Sequence, residues 1–238
     1  MHETTQRVWI VEDDPETRSS FAALVKSLGM TPESCGSAAE LLPHLDKDIR
    51  GCAIVDFRLP DTDGLELFRE MRHRGCDLPV ILISAFLDVR RAADAMGAGV
   101  FRVLEKPYRD SELSEAIHEA IEHDRLAHSK RTLRIDFAHR LENLDGRERA
   151  ALDLIISGCP NKTVERKLAV STRTVDRIRA SILEKMRYLS FVELAVAYGS
   201  AKESGLDIDQ IPPSRSHLHN MPTSDISETI HQGPSDES

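Results

Sequence analysis

Glu12-Asp13-Asp14, Asp56, Ser84 and Lys106 are the residues of this chain best suited to chemistry, and each stands where a short apolar run stops. Val8-Trp9-Ile10-Val11 leads into the acidic triplet and Cys52-Ala53-Ile54-Val55 into Asp56. Val80-Ile81-Leu82-Ile83 leads into Ser84, and Val103-Leu104-Glu105 into Lys106-Pro107. A carboxylate that accepts a phosphoryl group must be an exposed nucleophile, and the charge on the transferring group must be neutralised. Glu12 and Asp13 are hard oxygen ligands suited to Mg²⁺, Asp56 is the candidate nucleophile, Ser84 can donate a hydrogen bond and Lys106 can pair with a phosphate oxygen. Clustered carboxylates repel one another, so such a site favours a cation. Acids at strand ends are often only solubilising turn residues; five suitable positions at once argue against that reading here.

The runs predict the frame that brings these groups together. Near-continuous apolar stretches of four or five residues are strands of a parallel sheet covered by helices on both faces. In an open sheet of that kind, ligands sit beyond the carboxyl ends of the strands. Helix-length segments separate the runs: Glu16 to Leu28, Ala38 to Leu45, Leu65 to Arg74, Val89 to Met96, and Asp110 to about Leu126, with a short second strand near Met30 to Cys35. This alternation predicts an α/β fold, a five-stranded doubly wound parallel sheet, over residues 1–126.

Residues 127–140 are polar and basic without a clear period and read as a linker. From 141 to 201 only helical patterns remain. Asp145 to Glu148 and Ser190 to Glu193 are capping boxes, Asn161 to Leu168 is a short helix, and Ser171 caps a helix running to Met186. Residues 202–238 are rich in Pro, Ser, His and Asp and read as a disordered acidic tail. Charge follows the same division. Residues 1–125 carry 15 basic and 24 acidic side chains, residues 126–202 carry 15 and 9, and residues 203–238 carry 1 and 7. Only the middle suits a polyanion.

The helix from Ser171 to Met186 has two faces. Val175, Ile178, Ile182 and Met186 recur at core spacing, while Arg173, Arg177, Ala180, Ser181 and Glu184 lie opposite. Arginines and small residues near a helix N-terminus suit entry into a major groove, and Lys162, Arg166 and Lys167 on the preceding helix suit phosphate contacts. The helix from Ser190 reads as both core and dimer seam.

Taken together, I-V-E-D-D at 10–14, I-V-D-F-R-L-P-D-T-D-G at 54–64, L-I-S-A at 82–85, the D-V-R-R-A-A-D-A-M-G-A-G run at 88–99 and E-K-P at 105–107 resemble the receiver domain of two-component response regulators. That resemblance implies that Asp56 is phosphorylated by a sensor histidine kinase. It makes Glu12, Asp13, Asp56 and the Arg58 backbone carbonyl the Mg²⁺ ligands, Ser84 the switch hydroxyl and Lys106 the phosphate-sensing lysine, with a cis Lys106–Pro107 bond. The family usually carries an aromatic where Val103 stands. Residues 141–200 resemble the LuxR-type helix-turn-helix of FixJ/NarL regulators through L-D-G-R-E-R at 144–149, N-K-T-V at 161–164, L-A-V-S-T-R-T-V at 168–175 and K-M at 185–186. This implies backbone contacts from Arg173 and Thr174, and base-edge positions at Asp176, Arg177 and Ala180.

The expectation is therefore a phosphorylation-dependent transcription regulator, not an enzyme beyond its own phosphoryl chemistry. Its expected partners are a sensor histidine kinase, double-stranded promoter DNA, RNA polymerase and a second copy of itself when phosphorylated. An aspartyl-phosphate phosphotransferase and a signalling adaptor acting through protein partners are the alternatives. Nucleotide binding is disfavoured, because no G-x-G-x-x-G or G-K-[ST] follows the first strand. Polar residues at the start, no apolar run near ~20 residues and four dispersed cysteines point to a cytoplasmic protein without a membrane span.

Overall fold

The computed structural model describes residues 6–46, 48–85 and 89–214. They divide into two compact units that part between Ser129 and Lys130. In the first, β1 (Arg7–Val11), β2 (Thr31–Cys35), β3 (Cys52–Asp56), β4 (Val80–Ser84) and β5 (Arg102–Glu105) alternate with α1 (Pro15–Ser27), α2 (Ala38–Leu41), α3 (Gly64–His73), α4 (Val89–Ala98) and α5 (Asp110–Glu142). All neighbouring strands are parallel, in the order β2-β1-β3-β4-β5.

Side chains alternate across each strand, and here both faces are apolar. Trp9, Val11, Ala53, Val55, Val80 and Leu82 face one core with Leu65, Phe68 and Met71 of α3. Val8, Ile10, Cys52, Ile54, Ile81 and Ile83 face the other with Phe21 and Val25 of α1 and Leu113 and Ile117 of α5. Two glycines are fixed by close approach rather than by turn preference. A Cβ on Gly51, whose φ is +116°, would lie 2.0 Å from the Arg7 carbonyl oxygen. One on Gly64 would lie 2.5 Å from that of Asp56, so α3 can begin directly behind the strand that carries the aspartate. The four cysteines are free thiols, three of them buried. No helix among the described residues is long and apolar enough to cross a membrane.

The second unit is helical: the end of α5, then α6 (Gly146–Ile156), α7 (Asn161–Leu168), α8 (Thr172–Met186), α9 (Phe191–Glu203) and a 3₁₀ turn at Ile208–Gln210. Asp145 and Glu148 form the expected capping box, and Ser171 and Ser190 cap α8 and α9. Leu144, Leu152, Ile178, Ile182, Met186, Leu194 and Tyr198 form its core.

Two expectations about boundaries need correction. The stretch 127–140 is not an irregular linker; it lies within α5. It contains no Gly or Pro to stop the helix. Its period is obscured because Leu126, Leu133 and Ile135 are exposed, while Phe137 and Leu141 further on are buried in the second core. The acidic tail also begins later than 202. Ile208 is buried and Leu206 and Ile211 pack against the same core, so residues 203–214 belong to the domain. Residues 215–238 lie outside the described residues.

A tether and a core element respond differently to truncation. Phe137→Ala should therefore lower the unfolding free energy of the helical unit by about 3–5 kcal/mol. The check is a urea transition followed by helical circular dichroism, with fluorescence of the single tryptophan, Trp9, reporting the sheet unit independently. A loss below about 0.5 kcal/mol, the size of an ordinary surface effect, would return 127–140 to the role of a tether.

Candidate functional site

Register decides what meets at the sheet edge. Asp56 pairs with Ile83 across β3–β4, and Ser84 with Glu105 across β4–β5, so the last residues of three adjacent strands fall within one residue of the same level. The Phe57 N–H donates to the Ile83 carbonyl at 2.7 Å and the Lys106 N–H to that of Ser84 at 2.8 Å, carrying the alignment past the strand ends. The Lys106–Pro107 peptide is cis, as expected. Glu12, Asp13, Asp56, Ser84 and Lys106 all line one cleft of about 310 Å³, together with Phe57, Arg58, Ala85 and Arg91.

The ammonium of Lys106 lies between two acids, 2.7 Å from Asp56 Oδ1 and 3.2 Å from Glu12 Oε2. The other Asp56 oxygen accepts the Arg58 N–H at 2.8 Å. Burial pushes the Glu12 carboxyl above the usual range, and the charge of Asp56 adds to that, against the opposing pull of Lys106. Burial alone would lower the Lys106 pKa, but its hydrogen bond and charge contact with Asp56, reinforced by Glu12, raise it. Among the described residues, no group of three or more His, Cys, Asp and Glu side chains is arranged to hold a metal. The donor set fits Mg²⁺, since every candidate ligand is a hard oxygen and the charge of Asp56 opposes that of Glu12.

Two residues that hold this edge were not anticipated. Arg18, on the second turn of α1, donates through Nη1 to the carbonyls of Glu12 at 2.5 Å and Asp13 at 3.1 Å, fixing the loop that aims both acids. Asp61, in the loop after Asp56, accepts from the backbone N–H groups of Ala38 at 3.2 Å and Ala39 at 2.8 Å, capping α2 from across 22 residues. Val103 packs on the α3 side of the sheet. Phe101 and Tyr108, the aromatics nearest to it in sequence, pack on the opposite side.

In the second unit, α8 divides as its periodicity predicts. Val175, Ile178, Ile182 and Met186 are buried; Arg173, Asp176, Arg177 and Ala180 are exposed, as are Lys162, Arg166 and Lys167 on α7. Thr174 is half-buried and its hydroxyl pairs with that of Ser171 at 3.0 Å. Ser181 departs from expectation, because its hydroxyl turns inward and donates to Glu148 Oε1 at 2.6 Å. Lys185 donates to Glu148 Oε2, also at 2.6 Å. Glu148 is 6% exposed and also serves the capping box of α6, so one buried carboxylate joins that helix to α8. Charged hydrogen bonds of this kind are short and strong.

Comparison with known proteins agrees with both halves. Residues 8–118 match the response regulator receiver domain family, and residues 142–198 match the luxR family of bacterial regulatory proteins. The transcriptional regulatory protein FixJ of Azorhizobium caulinodans is 34% identical over 187 residues, covering 79% of this chain and 89% of that protein. FixJ of Rhizobium meliloti is 34% identical over 199 residues, covering 82% and 98%. The chain belongs to the FixJ-type response regulators. The solved structure of the response regulator StyR superposes with a TM-score of 0.75 at 27% identity, covering 82% of this chain and 99% of that one. Full-length FixJ from B. japonicum gives 0.51 at 30% identity, covering 84% and 99%. As a response regulator, the chain joins a receiver to a DNA-binding domain for phosphorylation-dependent control of transcription, which is not the work of a conventional enzyme.

Because the Glu12 pKa is raised, keeping Glu12 ionised at neutral pH opposes folding, and that penalty disappears as pH falls through its folded pKa. Glu12→Gln should therefore raise the thermal midpoint of the metal-free receiver at pH 7, with the gain vanishing towards pH 4. The same variant should bind Mg²⁺ more weakly in calorimetric titration. A lower midpoint at pH 7 would show that the Lys106 contact outweighs burial and repulsion.

Proposed function

We propose that Asp56 is the phosphoacceptor of this regulator and that a sensor histidine kinase supplies the phosphoryl group. The observation that carries the reading is the convergence of Asp56, Glu12, Ser84 and Lys106 on one cleft at the sheet edge, with Lys106 already in contact with the candidate nucleophile. An Asp56 carboxylate oxygen attacks phosphorus, the phosphorus–nitrogen bond of the donor phosphohistidine breaks, and the imidazole leaves with that electron pair. Glu12, Asp13, Asp56 and the Arg58 carbonyl would hold Mg²⁺, which when bound would neutralise charge on the transferring group. Once Asp56 is an acyl phosphate, Lys106 exchanges its carboxylate contact for a phosphoryl oxygen and Ser84 donates to another. Both groups stand on β4 and the turn after β5, so their movement remodels the surface around α4 and β5.

For the output we assign α8 to the major groove, with Arg177 and Arg173 as its principal polar contacts, Asp176 and Ala180 beside them, and Lys162 of α7 on phosphate. Thr174 contributes at the helix start and Ser181 positions α8 through Glu148. A homodimer is supported by the exposed apolar stripe Leu189, Val192 and Val196, which are 93, 76 and 67% exposed. Leu194, Tyr198 and Ala201 of α9 are buried in the core. The reading places the protein in the cytoplasm, where both DNA and a kinase's phosphohistidine are accessible.

Labelling by a phosphohistidine kinase or a small acyl phosphate with Mg²⁺ should be lost in Asp56→Asn; undiminished labelling would remove Asp56 from this role. Arg177→Ala should weaken binding to a selected operator by about 1–3 kcal/mol while leaving non-specific DNA affinity nearly unchanged. Equal losses on both DNAs in an anisotropy titration would limit this arginine to phosphate contact.

A further inference from the structure

We propose that the acidic end of the chain, residues 215–238, is an intramolecular competitor for the basic face of α7 and α8. The inference rests on the DNA-binding reading of that face and adds a regulator to it. The chain beyond α9 is fastened to the helical domain. Ile208 is buried, Arg149 donates to its carbonyl, and the Ser214 N–H donates to the Leu144 carbonyl at 2.8 Å. Leu144 directly precedes the capping box of Asp145 and Glu148, and Glu148 is the carboxylate that holds Ser181 and Lys185 of α8. The last described residue is thus tied to the end of α6 that contacts the recognition helix.

Covalent reach and charge do the rest. Twenty-four residues of the sequence follow Ser214, which at ~3.3–3.6 Å each span at most about 86 Å. Helix α8 has 15 residues and is about 22 Å long. The segment carries Asp225, Glu228, Asp236 and Glu237 against a single Arg215, a net of −3. The face it can reach presents Lys162, Arg166, Lys167, Arg173 and Arg177, all exposed. Exposed ion pairs are individually weak and screened by salt. Attachment offsets that weakness, because a tethered partner acts at an effective concentration of about millimolar. Such a segment lowers affinity for every DNA sequence alike, so weak non-specific sites are lost first.

The test compares the full chain, a chain ending at Ser214, and a full-length variant carrying Asp225→Asn, Glu228→Gln, Asp236→Asn and Glu237→Gln. The truncated and neutralised forms should both bind non-specific duplex DNA about three- to tenfold more tightly at 50 mM salt, with the difference closing near 300 mM. Equal affinities for all three forms overturn the proposal; tighter binding by the truncated form alone would show exclusion by bulk and overturn the electrostatic docking. A labelled peptide of residues 215–238 provides a readout without DNA. It should bind the truncated chain and lose binding in Arg173→Ala/Arg177→Ala. Peptide binding without DNA binding by any form would sink the DNA reading and leave the docking intact, whereas no peptide binding at millimolar concentration sinks the docking.

Discussion

The constraint on which the receiver half depends is the placing of two buried carboxylates, Glu12 and Asp56, against one ammonium. Glu12 does not sit well at that edge as an ion, because burial penalises its charged form and the charge of Asp56 adds to that penalty. Lys106 answers that need internally, and it does so from the turn after the edge strand, where its backbone is tied to Ser84. The same contact defines the site's chemistry. An ammonium held 2.7 Å from the candidate nucleophile is close enough to follow a charge that moves from carboxylate to phosphoryl oxygen. A salt bridge of this kind is weak evidence for stability and better evidence for a switch, since its value changes with the chemical state of one partner.

That arrangement could be read from sequence because sheet physics leaves few options. Strands covered on both faces announce themselves as unbroken apolar runs, and parallel order brings their carboxyl ends to one edge. Asp56, Ser84 and Lys106 were legible for that reason. Arg18 and Asp61 were not, because each acts on backbone groups, carbonyls in one case and helix N–H groups in the other. No residue type or spacing marks such a contact; it depends on which loop passes which helix end.

The helical half shows the opposite difficulty. Its helices were legible from caps and apolar spacing, but a helical wheel says nothing about which neighbour crosses a given face. Ser181 lies with the exposed set by angle, yet α6 brings Glu148 over it. The end of α5 was missed because it is apolar only where it meets the second core, at Phe137 and Leu141, and exposed before that. From that same helix end, Arg140 donates to the Met186 carbonyl at the C-terminus of α8. Helix α8 is therefore held at its centre by a carboxylate from α6 and at its end by a guanidinium from α5.

Both halves solve a version of one electrostatic problem. The sheet edge concentrates negative charge and needs a cation; the face of α7 and α8 concentrates positive charge and needs a polyanion. At the sheet edge a lysine in the fold meets the need until chemistry changes the terms. On the helical face the buried partner of Lys185 is an acid within the domain, but Arg173 and Arg177 have their charged ends in solvent. Their occupancy is then set by mass action among the anions available to them, the proposed competitor included. On the proposed readings the regulator has two thresholds, one chemical at Asp56 and one ionic at α8. The second would respond to salt even when the first is unchanged.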